Sequence, residues 1–348
     1  MIQANKQHTI GALIAMSIAA LLLFLFDGER PKKEYFLNQG KVFGTYYTIR
    51  YEATGDLEDS IQAELQAFDN SLSMFNPHST LSAINDNRDT VTDALFEAMF
   101  AEAARVNALS DGAFDITVAP LVNYWGFGNR KRVQNTEHRV QTDLDSIRAF
   151  VGFEKVQLVD HRIVKADPRV QLDGGAVAKG QSCDIIAALL ERQGCSNYLV
   201  EIGGEVVSRG VNAKGEPWHI GITKPVDNNG EGLTVSGEGL QEVLKVHDIC
   251  MATSGNYRNF YYDGEQKRSH TIDPRTGYPV QHSLLSATVV SSSCMRADAL
   301  ATVCMVLGVE KALELIARAG DAACYLIVDE DGEMVVRTSA NWNDGMMK

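Results

Sequence analysis

Apolar residues recur along this chain with two different spacings, and these spacings predict its secondary structure. Where apolar residues return every three or four positions, between Asp, Ser or Gly residues, they predict helices over residues 56–72, 92–110, 176–193, 295–307 and 309–319. Alternating apolar and polar residues predict strands over residues 39–52 and 284–291, several over 197–246, and a closing hairpin over 323–336. Helices and strands are mixed without strict alternation, so we expect an α+β fold with mixed sheets and packed helices.

The first 34 residues differ in composition from the rest of the chain. A short tail, residues 1–9, precedes an apolar run over residues 10–26. This run is long for the core of a cleaved signal peptide and short for a membrane-spanning helix, and no small-residue cleavage site follows it. We interpret it as an uncleaved single-pass anchor, joined by a linker of residues 27–34 to a domain of residues 35–348.

Size, charge and cysteine spacing narrow the possible classes of protein. A domain of this length exceeds what one core usually supports, so we expect two lobes of one domain. The net charge of −13 argues against nucleic-acid binding, and the basic run at residues 130–132 is typical of a solvated loop. The six cysteines show neither C-x-x-C pairs nor zinc spacing. They are predicted to be buried thiols, with one disulfide possible in an oxidising compartment.

Two sequence patterns combine the residue types that phosphate chemistry requires. Residues 173–180, Asp-Gly-Gly-Ala-Val-Ala-Lys-Gly, predict a tight turn and a helix start whose backbone N–H groups face an anion such as a diphosphate. A plain turn before a helix is the alternative, because the pattern is neither a Rossmann fingerprint nor a P-loop. Asp298 and Thr302 lie four residues apart in an apolar predicted helix, so their oxygens share one face. Such oxygens suit Mg2+, whereas a capping or salt-bridge role for Asp298 is the alternative.

His270 is a further candidate, in a turn-rich segment five residues before Arg275. Histidine is the side chain that most often takes a proton from a hydroxyl nucleophile near neutral pH. A lone histidine is more often structural or exposed, and the other seven carry no comparable context.

Eight blocks of the sequence, in this order, resemble the ApbE family of FAD:protein FMN transferases over nearly all of residues 35–348. The blocks are residues 44–46, 71–77 with 81–85, 112–128, 173–180, 200–204, 252–255, 269–279 and 297–302. The resemblance implies an ApbE-type, T-fold-like catalytic domain. It also implies Mg2+-dependent transfer of the FMN moiety of FAD onto a threonine hydroxyl of an acceptor flavoprotein, with release of AMP. The implied acceptors are subunits of the sodium-translocating NADH:quinone reductase and related electron-transport complexes.

The same resemblance assigns roles to individual residues. His270 would take the proton from the attacking threonine, and the Ala176 carbonyl, Asp298 and Thr302 would bind Mg2+. The residues implied to contact FAD are Phe43, Phe75, Ala113, Phe114, Asp115, Asp173, Lys179 and Ile272. Phe43 and Phe75 stand where Met and Tyr are common in the family, so one hydrogen bond of the Tyr hydroxyl is in doubt. Core packing remains the alternative for Phe114.

Two other functions and two locations remain open at this point. A FAD diphosphatase would use the same site with water as acceptor, whereas a non-catalytic flavin-binding module would need neither metal nor base. The resemblance places the catalytic domain in the periplasm, anchored in the inner membrane. The basic residues at positions 30, 32 and 33 favour the cytoplasm instead, but acidic residues among them dilute that flank. We expect the periplasmic orientation.

Overall fold

An eight-stranded sheet in which all neighbouring strands are antiparallel organises the chain in the computed structural model. Its strands, in spatial order, are β1 (Glu34–Val42), β2 (Thr45–Ala53), β5 (Tyr198–Ile202), β6 (Glu205–Arg209), β9 (Ile249–Gly255), β12 (Leu284–Val290), β13 (Ala323–Glu330) and β14 (Glu333–Thr338). Three further strand pairs are β3 (Val156–Val159) with β4 (Arg162–Lys165), β7 (Trp218–Thr223) with β8 (Leu240–Val246), and β10 (Phe260–Asp263) with β11 (Gln266–Ser269).

Helices flank these strands. They are α1 (Glu58–Leu72), α2 (Thr80–Asn85), α3 (Ala94–Leu109), α4 (Ala119–Tyr124), α5 (Gln141–Arg148), α6 (Gly175–Arg192), α7 (Cys294–Leu307) and α8 (Val309–Ala319). Short 3-10 helices cover Ile116–Val118 and Phe153–Lys155. The predicted α+β class is confirmed, and the five predicted helices lie within two residues of α1, α3, α6, α7 and α8. The division into two lobes stays a prediction.

The structure describes residues 32–128, 141–225, 239–257, 259–264 and 266–342. The predicted anchor at residues 10–26 and the basic run at 130–132 lie outside these ranges. Within them, no helix is both long and apolar enough to cross a membrane.

The prediction of one strand over residues 39–52 is wrong. The segment is a hairpin, in which β1 and β2 pair up to Val42 and Thr45. Phe43 and Gly44 form its turn with φ angles of 51° and 75°, the conformation that matches the twist of a two-residue hairpin. Phe43 is not one of the turn residues that announce such a hairpin, so the apolar alternation runs through the turn unmarked.

Helices α6 and α7 pack closely, and this contact positions the site described below. Gly180 lies at the crossing, where an added Cβ would stand 2.6 Å from the carbonyl carbon of Cys294. Asp184 of α6 accepts hydrogen bonds from the backbone N–H groups of Cys294 and Met295, each at 2.9 Å. These bonds satisfy two donors at the start of α7 and hold the two helices in register.

All six cysteines are free and buried, which confirms the prediction of buried thiols. The disulfide that the sequence leaves possible is not formed. Burial raises the pKa of Cys183, whose thiol donates to the Glu205 carbonyl at 3.3 Å. These cysteines therefore pack as small apolar residues.

Candidate functional site

A cavity of about 380 Å³ lies beside the starts of α6 and α7 and the segment that follows β11. It is lined by ten of the twelve residues predicted for the site: Ala113, Phe114, Asp115, Asp173, Ala176, Lys179, His270, Ile272, Asp298 and Thr302. Its volume falls in the range of pockets that bind small molecules and cofactors. Residues from four distant segments thus meet at one place.

Phe43 and Phe75 are the two predicted residues that do not line this cavity. Phe75 is 69% exposed and lines an adjoining groove of about 260 Å³, which shares Met74, Val122 and Asp173 with the cavity. Phe43 packs on Phe68 with ring centroids 5.0 Å apart. The implied contacts of both residues with FAD stay predictions.

The start of α6 forms one wall of the cavity. Asp173 accepts the backbone N–H of Gly175 at 2.8 Å, and its own N–H donates to the Ile116 carbonyl at 2.6 Å. One of the N–H groups predicted to face an anion is therefore bound by Asp173. Burial raises the pKa of Asp173, and the Gly175 N–H opposes this shift.

Three charged side chains form the centre of the cavity. Lys179 lies with its Nζ 2.6 Å from Glu205 Oε1 and 3.7 Å from Asp298 Oδ1. Burial raises the pKa of Glu205 to about 7, against the attraction of Lys179, and burial also raises the pKa of Asp298. For Lys179, burial lowers the pKa, but the attraction of Asp298 and Glu205 outweighs it and the net shift is upward. The ammonium is thus held charged between two buried carboxylates.

Asp298 lines the cavity together with two hydroxyl side chains, Thr302 and Ser254, and these are oxygen ligands of the kind that Mg2+ prefers. The Asp298 side chain is 2% exposed and accepts the Gly180 N–H at 3.0 Å through Oδ2. In a regular helix that N–H would point at the Ala176 carbonyl. The hydroxyls of Thr302 and Ser254 lie 3.3 Å apart. No cluster of three or more His, Cys, Asp or Glu ligands occurs in the described ranges, and Mg2+ commonly binds through few protein ligands beside substrate phosphates.

His270 also lines the cavity, directly after β11. Its Nδ1 is 3.1 Å from the backbone carbonyl of Asn259, which also accepts the His270 backbone N–H at 3.1 Å. Because a carbonyl oxygen can only accept, Nδ1 carries the proton of the neutral ring and Nε2 is its basic nitrogen. The ring of Phe127 stands edge-on to the imidazole at 6.4 Å.

The floor of the cavity combines packing with a buried acid. Ala113 and Phe114 are 1% and 3% exposed and belong to the largest apolar core, so Phe114 packs in the core and also lines the cavity. Asp115 accepts the Thr117 N–H at 2.8 Å and its hydroxyl at 2.7 Å. Burial nevertheless raises the pKa of Asp115.

Comparison with known proteins decides the family. The model of the ApbE family matches residues 43–326. This chain belongs to the ApbE family. The predicted resemblance is thereby confirmed.

Several members of the ApbE family have sequences close to this chain. The FAD:protein FMN transferase of Haemophilus influenzae is 36% identical over 347 residues, covering 95% of this chain and 96% of the relative. The protein of the same name from Escherichia coli K12 is 35% identical over 331 residues, covering 90% and 91%. The prediction that this chain is a transferase is confirmed by these relatives.

Solved ApbE structures share the fold. The flavin transferase ApbE of Vibrio cholerae superposes with a TM-score of 0.78 at 34% identity, over 89% of this chain and 98% of the other. The apo form of the flavinyl transferase ApbE of Pseudomonas stutzeri gives a TM-score of 0.78 at 31% identity, over 91% and 98%.

Sequence patterns left several residues of this ApbE site unassigned. Both Glu205 and Ser254 line the cavity. Glu205 directly follows the block at 200–204 and Ser254 lies inside the block at 252–255, so two blocks of the family resemblance point to them. Phe127 lies in the block at 112–128, from which the resemblance assigns only Ala113, Phe114 and Asp115 to the site. Its neighbour Trp125 does pack, with Nε1 donating to the Gly277 carbonyl at 2.7 Å, whereas Phe127 lines the cavity.

Proposed function

We propose that this protein transfers the FMN moiety of FAD to a threonine hydroxyl of an acceptor flavoprotein and releases AMP. The main supporting observation is that the cavity holds a candidate base, His270, together with a half-buried ammonium, Lys179, beside a buried carboxylate, Asp298. A flavin-binding module would need only a cavity and a phosphate contact. The base and the buried carboxylate favour an enzyme.

The chain's own residues account for binding and proton transfer. The start of α6 and the Lys179 ammonium would bind the diphosphate of FAD. His270 Nε2 would accept the proton of the threonine hydroxyl. At the same time the threonine oxygen would form a bond to the phosphorus of the FMN half. The bond from that phosphorus to the bridging oxygen breaks, and the electron pair leaves with AMP.

The same centre would hold a magnesium ion. Asp298, Thr302 and the Ala176 carbonyl would bind it, with Ser254 beside them. When bound, Mg2+ would neutralise charge on the phosphoryl oxygens and the leaving group. Asp298 would retain its hydrogen bond from the Gly180 N–H, which fixes the carboxylate.

The decisive experiment mixes the purified protein, FAD, Mg2+ and an acceptor flavoprotein, followed by in-gel flavin fluorescence. We expect a fluorescent acceptor band and one AMP for each flavin transferred. A reaction that releases FMN and AMP at the same rate without acceptor would instead identify a FAD diphosphatase. Absence of both reactions would overturn the proposal.

The acceptor and the location belong to the same proposal. We infer that the acceptors are subunits of the sodium-translocating NADH:quinone reductase or related electron-transport complexes. We also infer an inner-membrane protein with an N-terminal single-pass anchor and a periplasmic catalytic domain. The apolar run at residues 10–26 supports the anchor.

A further inference from the structure

Lys179 is hydrogen-bonded to Glu205 and not to Asp298, the proposed metal ligand. Its ammonium makes a hydrogen bond of 2.6 Å with Glu205, whereas the 3.7 Å to Asp298 is longer than a hydrogen bond. Asp298 also has a backbone partner, the Gly180 N–H at 3.0 Å. Within the described part of the chain, Glu205 Oε2 has no hydrogen-bond partner.

These contacts make the two carboxylates unequal competitors for the lysine. Glu205 is 1% exposed, so losing Lys179 would leave it with an unpaired buried charge. Asp298 would keep the Gly180 N–H if Lys179 were absent. Lys179 therefore stays at Glu205, and Asp298 Oδ1 keeps a side that is not hydrogen-bonded to the ammonium.

The stem of Lys179 is held as well. The turn between β5 and β6 consists of Gly203 and Gly204, with φ angles of 66° and 102°. An added Cβ on Gly203 would stand 3.2 Å from Lys179 Cδ and 3.0 Å from Thr45 Cγ2, so the turn lies directly on the stem. The Gly203 N–H donates to the Tyr46 carbonyl at 3.0 Å, which ties the turn to β2.

We propose that Glu205, supported by the Gly203 turn, is a positioning residue that keeps Lys179 from closing onto Asp298 and thereby leaves this carboxylate open to a divalent cation. The inference rests on the proposed magnesium site. Without Glu205, the ammonium would pair with Asp298 and compete with the cation for the same oxygen.

The test measures Mn2+ binding to the purified full-length protein, from the loss of the free-ion EPR signal, with Mg2+ as competitor. Glu205→Gln should weaken Mn2+ binding about tenfold, a size typical of coupled neighbouring charges. In a Lys179→Met background the same substitution should weaken binding by a clearly smaller factor, because the competing cation is gone and only the loss of the Glu205 charge remains. Equal weakening in both backgrounds would mean that Glu205 acts through its charge alone, and would overturn the inference.

A charge-conserving variant distinguishes a positioning effect of Glu205 from an effect of its charge, and also from misfolding. Glu205→Asp keeps the charge but withdraws the carboxylate from Lys179, so it should also weaken Mn2+ binding. Wild-type affinity in this variant would overturn the inference. Glu102→Gln is the matched control, since Glu102 is 4% exposed and ion-paired with Arg105 and Arg296 outside the cavity. It should bind Mn2+ as the wild type does, and equal weakening there would count against a specific role.

Failure of the inference and failure of the proposed site are distinguishable. Asp298→Ala should abolish Mn2+ binding whatever residue stands at position 205. If Asp298→Ala still binds Mn2+, the metal site itself is wrong. If it does not, while Glu205→Gln binds as the wild type, the site stands and the positioning role is wrong.

Discussion

At the scale of single residues, the central feature is the shared lysine. Glu205 and Asp298 are both almost fully buried, and Lys179 is the cation between them. When all three are ionised, the group carries one net negative charge. Burying a charge without a partner costs several kcal/mol, so this excess negative charge favours the entry of a cation.

His270→Ala should lower the rate of flavin transfer by about 10²–10⁴-fold, the usual contribution of a positioned general base. Because the imidazole is not part of the proposed diphosphate contacts, FAD binding should change little. Initial rates of acceptor fluorescence and the quenching of bound flavin measure the two quantities separately. His161→Ala is the control, since this side chain is 80% exposed and pairs with Glu97 away from the cavity. A transfer rate in His270→Ala equal to that of the control would exclude the base.

Asp298→Ala should abolish Mg2+-dependent turnover, whereas Thr302→Ala should only raise the Mg2+ concentration needed, because it removes a neutral oxygen. Activity measured across a Mg2+ titration separates these outcomes. EDTA should silence the wild type, and added Mg2+ should restore it. Full activity of both variants at low Mg2+ would contradict the assigned ligands.

At the scale of elements, the site depends on how α6 and α7 cross. Helix α6 carries Ala176 and Lys179, and α7 carries Asp298 and Thr302. Their relative position is fixed by the close approach at Gly180 and by Asp184, which binds the first N–H groups of α7. A shift of either helix would therefore move the proposed metal ligands and the proposed phosphate contacts apart.

Gly180→Ala should destabilise the protein by about 1–3 kcal/mol, because the added methyl would overlap the backbone of α7 in a packed core. It should also weaken activity, since Gly180 donates to Asp298. Gly55→Ala is the matched control, as no atom lies within 4 Å of its added Cβ. Denaturant unfolding of both variants gives the free energies of unfolding. Equal stabilities would show that the helices separate without cost.

His282 links β12 to the end of α7 and should make stability depend on pH. Nε2 donates to the Met305 carbonyl at 2.8 Å, and Nδ1 accepts the Leu284 N–H at 3.3 Å, so the ring is held neutral. Burial lowers its pKa in the folded protein. Below the unfolded value of about 6.5, the unfolded chain binds the proton more readily, so stability should fall as the pH drops.

Thermal unfolding of the wild type and His282→Gln at pH 7.5 and 5.5 tests this. The loss of stability at the lower pH should be smaller in the variant. His161→Gln is the control of opposite sign, because its hydrogen bond with Glu97 raises the pKa of that imidazole. An identical pH dependence in wild type and His282→Gln would show that His282 does not cause the loss of stability at low pH.

At the scale of the whole molecule, periodicity predicted the long elements and missed the short ones. Amphipathic helices such as α1 are legible because their buried residues recur at helical spacing. The turn at Phe43 and the hairpin of β10 and β11 carry few local signals, so tertiary contacts decide them. The meeting of residues 113–115, 173–179, 270–272 and 298–302 in one cavity is not visible in any local pattern. The family resemblance implied that these residues form one site, but it gave no indication that Lys179 pairs with Glu205.

The orientation of the whole chain across the membrane can be tested by protease digestion. If residues 10–26 anchor the protein with its catalytic domain in the periplasm, protease added to spheroplasts should digest that domain while the inner membrane stays sealed. The short tail of residues 1–9 would then remain inside, consistent with Lys6 on the cytoplasmic side. Immunoblotting against the catalytic domain measures the digestion, and a soluble cytoplasmic enzyme that stays intact shows that the membrane is sealed. If the domain is protected from protease until detergent is added, it lies in the cytoplasm. The basic residues at positions 30, 32 and 33 would then have retained it there. The cavity and its chemistry would stand in either orientation, but the acceptor would then have to present its threonine on the cytoplasmic side.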